Sequence, residues 1–175
     1  FEVAANTFLA SVGQKLWDSG LSLENMPDIN TQTFGGAIAT STHGTGPTFG
    51  SMSSTVTEMT LVNGLGEELT CSANRNSELF NAARCNIGTL GAVTSMKIQA
   101  TDKYYLKEKS WMMKLEDGLE RAESMRDQHR NFELYALPHA DYILGIAIDE
   151  VSETELLTQK TVNGDAYETF KMLSN

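Results

Sequence analysis

Apolar residues recur at helical spacing near the start of the chain, where Leu9, Val12 and Leu16 share one face, as an amphipathic helix requires. Asn6 or Thr7 stands where a side-chain cap belongs, and Gly20 where a left-handed residue ends the helix. Periodicity is then lost through residues 21–30 and 31–50. Five glycines and many Thr and Ser residues surround a single histidine in the second stretch, which predicts loop and tight turn. Residues 55–62 are β-branched and apolar, Asn63-Gly64-Leu65-Gly66 has turn chemistry and residues 68–72 return, so a hairpin is expected. Asn76 or Ser77 caps a helix through Leu79, Phe80 and Ala83; residues 86–91 turn. A closing strand follows, in which Met96, Ile98 and Ala100 alternate with Lys97 and Gln99.

Around residues 101–109 the texture changes to charged and aromatic, which marks a boundary between residues 1–103 and residues 104–175. Beyond it Leu115, Leu119, Ala122 and Met125 or Arg126 repeat at helical spacing. Phe132, Leu134 and Ala136 alternate as a strand before Pro138-His139, and residues 142–148 form another. The residues beyond Val151 are polar and hold no evident core. The order helix, hairpin, helix, strand, helix, strand, strand indicates an α+β fold rather than a doubly wound parallel sheet.

At 175 residues the chain is long enough for one domain and part of a second, and its apolar share of 41% is that of an ordinary globular protein. Twenty-three acidic residues against 13 basic ones give a net charge of −10, which opposes nucleic-acid backbones and anionic membrane surfaces. No apolar run approaches the ~18 residues of a spanning helix. Cys71 and Cys85 read as reduced intracellular thiols, and the expected compartment is cytoplasmic. No set of His, Cys, Asp and Glu residues has metal-ligand spacing.

The chemistry is concentrated in Thr33-Phe34-Gly35-Gly36-Ala37-Ile38-Ala39-Thr40-Ser41-Thr42-His43-Gly44-Thr45-Gly46. Glycine admits close backbone approach, and hydroxyls with successive N–H groups can surround a pyrophosphate or a flavin edge. Neither Gly-x-x-x-x-Gly-Lys nor the dinucleotide fingerprint spacing is present, and a Gly/Thr segment taken alone is more often structural than ligand-binding. His43 reads as a hydrogen-bonding prop, His129 as a solvated helix residue and His139 as shaping a strand end. Glu133 and Tyr135, alternate residues of one strand, face either a substrate cavity or solvent.

The run from Leu23-Glu24-Asn25 through Asp28-Ile29-Asn30 to Thr42-His43-Gly44-Thr45-Gly46 resembles the PCMH-type FAD-binding domain of the vanillyl-alcohol-oxidase superfamily, best in its aldonolactone oxidase and alditol oxidase branch. Glu78-Leu79-Phe80 followed by Gly88-Thr89-Leu90-Gly91-Ala92-Val93-Thr94 matches a second motif of that branch. Phe132-Glu133-Leu134-Tyr135 and Pro138-His139-Ala140-Asp141 resemble the opening of its substrate domain.

The resemblance implies the second FAD subdomain, an antiparallel sheet flanked by helices, over residues 1–103, and the beginning of an α+β substrate (cap) domain over residues 104–175. It implies FAD as cofactor. Thr33 and the backbone of Gly35, Gly36, Ala37 and Ile38 would lie along the flavin; Ser41, Thr42, His43 and Gly44 would hold the pyrophosphate; Val93 would border the adenine. It also implies oxidation of a sugar-1,4-lactone, of D-arabinono- or L-gulono- type, or of a polyol, with oxygen or another acceptor taking the electrons. Peripheral membrane association of the parent is compatible with it. The other class of function is a non-catalytic nucleotide-binding or interaction module that retains the fold.

The family's first FAD subdomain and its C-terminal catalytic residues have no counterpart here, so the chain reads as an internal fragment whose apolar faces would favour self-association. The isolated 175 residues are expected to bind FAD weakly and the full-length parent tightly. Titration of FAD into both, followed by flavin fluorescence, checks this; tight stoichiometric binding by the isolated chain would refute it.

Overall fold

Four buried side chains form one rung across the first sheet: Val3, Met96, Met59 and Cys71 stand opposite one another on neighbouring strands. The computed structural model describes residues 1–158. In chain order it contains β1 (Glu2–Ala4), α1 (Leu9–Asp18), β2 (Leu21–Ser22), α2 (Phe34–Ala39), a 3₁₀ turn (Met52–Thr55), β3 (Val56–Val62), β4 (Glu68–Ser72), α3 (Ser77–Ala83) and β5 (Ala92–Ile98). These are followed by β6 (Thr101–Asp102), β7 (Tyr105–Lys114), α4 (Leu115–Gln128), β8 (Asn131–Ala136), β9 (Tyr142–Val151) and α5 (Glu153–Thr158). The fold is α+β with antiparallel sheets, as expected.

The chain divides into two compact units. The first comprises Phe1–Gly44 and Phe49–Lys103; the second comprises Thr45–Thr48 and the chain from Tyr104 onward. In the first, strand order is β1-β5-β3-β4, with β2 and β6 as a separate ladder. The core is the sheet rung together with Leu9, Val12 and Leu16 of α1, Phe34, Ala37 and Ile38 of α2, and Phe80 and Ala83 of α3. Gly20, with φ 75°, ends α1 as its position predicts.

Two expectations are corrected here. The N-cap of α1 is Phe8, with no side-chain cap; the first helical donors, Leu9 N and Ala10 N, are taken by the carbonyls of Gln32 and Asn30 at 2.9 and 3.0 Å. Tertiary backbone pairing thus does what Asn6 or Thr7 was expected to do. Residues 31–50, expected to be loop, contain α2. Phe34, Ala37 and Ile38 occupy positions i, i+3 and i+4 and are buried, and Thr33 caps the helix by accepting from Gly36 N at 3.3 Å. The glycines conceal this periodicity because only burial, not propensity, stabilises so short a helix.

The second unit is a β7-β9-β8 sheet with α4 on one face. Strand β7 pairs with β9 over its whole length, although its mixed charged and aromatic sequence had suggested only a boundary. Gly118 lets α4 close on the sheet: a Cβ there would lie 2.5 Å from Ile143 Cγ2. At the C-terminal end of α4, His129 Nδ1 lies 2.8 Å from Asp149 Oδ2, and Arg130 N donates to Asp149 Oδ1 at 3.1 Å. His129 is half-buried against Phe132, with ring centroids 6.2 Å apart, rather than solvated. Residues 159–175, the polar C-terminal stretch, lie outside the described residues.

Burial pushes the Asp149 carboxyl up, but the Arg130 N–H, the His129 ring and the charge of Lys109 outweigh it and hold the carboxyl below its ordinary value. Such a group stabilises the fold above its unfolded pKa, about 3.9, and the contribution is lost as pH falls through the lower folded value. Asp149→Asn is expected to remove roughly 0.5–1 kcal/mol at pH 7, a modest figure because the side chain is 41% exposed and screened. It should have a smaller effect at pH 3. Urea unfolding at both pH values tests this; an equal loss at each would show that the charge is not responsible.

Candidate functional site

Helix α2 is too short to owe its position to its own hydrogen bonds, and its neighbours fix it on three sides. Phe34 N donates to Thr7 O and Gly35 N to Ala5 O, both at 2.8 Å, while the Ser53 hydroxyl donates to Ile38 O at 3.1 Å. Gly35 is needed for this seat, since a Cβ there would lie 2.9 Å from Ala5 Cβ and 3.0 Å from Ala5 O. With Phe34, Ala37 and Ile38 turned into the core, the other face presents Thr33, Gly36 and Thr40, spaced i, i+3 and i+7. A Cβ on Gly36 would meet only Thr33 Oγ1, at 3.0 Å. Gly36 is therefore the position of α2 where backbone lies open to a flat ligand.

The end of α2 is closed by a Schellman motif: Thr42 N donates to Ala37 O at 2.9 Å and Ser41 N to Ile38 O at 3.1 Å. Ser41 occupies the left-handed position of this motif, with φ 57°, where glycine would be unstrained. Thr40 donates its hydroxyl to Gly36 O at 3.0 Å and lies 3.4 Å from the Thr42 hydroxyl, which in turn reaches Gln32 Oε1 at 3.3 Å. His43 is exposed, and its Nδ1 lies 2.9 Å from Gly44 O. A carbonyl only accepts, so Nδ1 carries a proton in this contact. Gly44 is wedged against the preceding loop, since a Cβ there would lie 2.2 Å from Met26 O.

The structure therefore brings Thr33, Gly35, Gly36, Ala37, Ile38, Ser41, Thr42, His43 and Gly44 into one continuous segment of the first unit, but not in the way the composition suggested. The N–H groups of Phe34, Gly35, Gly36, Ala37, Thr40, Ser41 and Thr42 all have partners within the fold, so they form no open cradle of donors. What faces outward is a strip of hydroxyls and an open glycine. Val93 stands apart on β5, opposite Leu61 and half-buried against the core.

Thr40 lies within the segment marked in the sequence without having been singled out, and Ile87 lies outside it. Ile87 N donates to Ala39 O at 3.0 Å, which places it beside the end of α2, and its side chain is 74% exposed at φ 49°. A β-branched residue in that conformation is strained, and nothing in Asn86-Ile87-Gly88 signals it. In the second unit Glu133 and Tyr135 share a face of β8, and the Tyr135 hydroxyl donates to Glu133 Oε2 at 2.6 Å. Cys71 and Cys85 are both free thiols; burial, with Glu58 nearby, pushes the Cys71 thiol up. Among the described residues no group of His, Cys, Asp and Glu is arranged to hold a metal ion, and no helix is long and apolar enough to cross a membrane.

Residues 1–72 match the family model described as FAD binding domain, which indicates FAD as the cofactor. The solved structure of a solvent-stable cholesterol oxidase has the same fold, with a TM-score of 0.81 at 18% identity, covering 92% of this chain and 34% of that one.

The sequence relatives are sugar-lactone oxidases and dehydrogenases. L-gulonolactone oxidase of Bos taurus is 30% identical over 86% of this chain and 34% of that protein. L-gulono-1,4-lactone dehydrogenase of Mycobacterium tuberculosis is 33% identical over 78% of this chain and 31% of that protein. D-arabinono-1,4-lactone oxidase of Candida glabrata is 31% identical over 70% and 23%. The chain spans 23–34% of the length of these relatives.

Ser41→Gly is expected to stabilise the first unit by roughly 0.5–1 kcal/mol, the relief of left-handed strain less the greater chain entropy of glycine. Gly44→Val is expected to cost at least roughly 1–3 kcal/mol, because its side chain must displace a backbone carbonyl. Thermal unfolding of both variants checks the pair; a neutral Gly44→Val would show that residues 25–26 yield freely.

Proposed function

We propose that the protein of which this chain forms part is an FAD-dependent oxidoreductase acting on the CH–OH group of a sugar-1,4-lactone, of the L-gulono- or D-arabinono- type. The observation that carries the reading is that the FAD-binding match covers residues 1–72 and so includes the whole open strip on α2. Residues 1–103 are read as the C-terminal part of the FAD-binding domain and residues 104–175 as the beginning of the substrate domain.

The residues present fit FAD on physical grounds. Residues 29–57 contain no Asp, Glu, Lys or Arg, so a pyrophosphate meets no carboxylate there despite the net charge of −10. Gly36 admits close approach, and the Thr33 and Ser41 hydroxyls can donate or accept, while the Thr40 hydroxyl, donated to Gly36 O, can still accept. On this reading Thr33 and the backbone of residues 35–38 lie along the flavin. Ser41, Thr42, His43 and Gly44 form the pyrophosphate side, with Val93 at the adenine side. When bound, FAD supplies the hydride acceptor for the substrate carbinol C–H, and oxygen or another acceptor later takes the electrons. Within this chain, Thr33, Thr40 and Ser41 bind and orient, the α2 core residues hold that surface rigid, and His43 fixes the turn at Gly44. No observation favours a non-catalytic module.

The test uses the full-length protein. Purified as isolated, it should carry flavin absorbance, and anaerobic addition of L-gulono-1,4-lactone or D-arabinono-1,4-lactone should bleach it. Gly36→Val should fold yet retain little FAD, because its side chain fills the open strip. Normal flavin content in Gly36→Val would remove α2 from the site, and a flavin that neither lactone reduces would refute the substrate class.

A further inference from the structure

Helix α1 begins on a residue that neither capping nor core packing accounts for. Phe8 is its N-cap, the position where serine, threonine, aspartate or asparagine is favoured because a side-chain oxygen can accept from an N–H of the first turn. A phenyl ring offers no acceptor. Nor does it join the core: Phe8 is 53% exposed, whereas Leu9 beside it is fully buried. An aromatic side chain left in water where a small polar one would serve the helix better finds its use in what it stands beside.

The backbone fixes that neighbour. Phe8 pairs with Thr33 in an antiparallel bridge flanked by two hydrogen bonds, Leu9 N to Gln32 O at 2.9 Å and Phe34 N to Thr7 O at 2.8 Å. This is the non-hydrogen-bonded pairing, in which opposite side chains leave the same face with Cβ atoms about 5 Å apart. Phe8 therefore borders Thr33, whose hydroxyl accepts from Gly36 N at 3.3 Å, and Gly36 is exposed. Phenyl ring, hydroxyl and open glycine backbone form one continuous surface. All of it lies within the first unit and within the FAD-binding match.

We infer that Phe8 is a binding residue for the ring system of the flavin, which lies against its phenyl face or edge; this deepens, and rests on, the reading of Thr33 and residues 35–38 as the flavin side of the site. A flat heteroaromatic ring is the ligand chemistry this surface suits. Glycine backbone admits its close approach, Thr33 meets its polar edge, and a phenyl ring packs on it offset or edge to face. A pyrophosphate, charged and strongly hydrated, gains nothing from an apolar ring, so Phe8 belongs to the ring end of the cofactor and not to its phosphates. The neighbouring part of the same protein and a second copy of it are the other occupants that could cover Phe8, and they differ in what its removal does to the FAD-free protein.

The experiment compares Phe8→Ser, Phe8→Trp and Gly36→Val in the full-length protein. Unfolding of the FAD-free protein is measured, FAD is added back under flavin fluorescence, and the absorbance and emission of the bound flavin are recorded. Leu9 N and Ala10 N already have carbonyl partners, so a serine at position 8 would serve Ser11 N, and Phe8→Ser is expected to leave the unfolding temperature of the FAD-free protein unchanged or higher. The same variant should weaken FAD binding roughly 3- to 10-fold, the range of one aromatic contact. Opposite effects on stability and on binding are what a purely structural role would not give. Phe8→Trp should bind FAD within about twofold of wild type and alter the bound flavin's spectrum, because an indole in contact with a flavin quenches its emission and adds a long-wavelength shoulder to its absorbance. Unaltered affinity in Phe8→Ser, or a flavin spectrum in Phe8→Trp identical to wild type, would overturn the inference. So would a lowered unfolding temperature of FAD-free Phe8→Ser, which would assign the ring to packing against protein. If Gly36→Val loses FAD while both Phe8 variants behave as wild type, this inference fails alone; if Gly36→Val keeps its FAD, the reading of α2 fails with it.

Discussion

Four backbone hydrogen bonds between residues 5–10 and residues 30–35 set the architecture of the first unit. Leu9 and Ala10 donate to Gln32 and Asn30; Phe34 and Gly35 donate to Thr7 and Ala5. The first pair caps α1 without any capping side chain, and the second starts α2. Ala5 N in turn donates to Thr94 O at 2.9 Å, which ties the strip to β5 and so to the sheet. Because both helices and the sheet edge share these bonds, the rotation of α2 about its axis is determined by its surroundings. Its rotation decides that Gly36 and Thr40 face outward while Phe34 and Ile38 face in. The steric demand at Gly35 belongs to this seat: the backbone of α2 approaches Ala5 more closely than any side chain would allow.

Where the sequence carries a strong period or strong turn chemistry, it reveals the fold. The face of Leu9, Val12 and Leu16, the hairpin around Asn63-Gly64-Leu65-Gly66 and the helix of α4 are legible because each is stabilised by local rules that a single segment obeys. In the hairpin, Asn63 Oδ1 accepts from both Leu65 N and Glu67 N, the local self-bonding for which asparagine is favoured in turns. Elements that depend on distant partners are not legible. Strand β1 exists because Glu2–Ala4 pairs with β5 near the far end of the unit, and β7 because β9 accepts it in full register. Helix α2 lies between these cases: three apolar residues have the right spacing, but two glycines and flanking hydroxyl residues describe a loop equally well.

The candidate site shows the same division. The residue types in residues 33–44 mark the segment only as a candidate, and family likeness supplies the roles proposed for it. Neither showed that most of its N–H groups are engaged by the fold, because hydrogen bonds to Thr7 and Ala5 cannot be read from a glycine count. Nor could spacing show that Gly44 is a glycine on account of Met26, while Gly36 is one whose open side faces outward. The two residues look alike in the sequence and differ in what limits them.

A site built in this way relies on neutral, short-range groups. With most backbone donors of residues 33–42 engaged and no lysine or arginine among residues 29–57, this segment offers a ligand hydroxyls at hydrogen-bond distance and shape, since neutral donors exert little attraction beyond contact. Precision of placement therefore matters more here than in a site that draws its ligand in by charge. Ser41 fits that demand. Glycine would occupy the left-handed turn without strain, but only a side chain can offer a hydroxyl there, and the Schellman bonds on either side restrain the turn that carries it. On the proposed reading of this segment, the local strain at Ser41 is a stability cost of about 1 kcal/mol set against an oriented polar group.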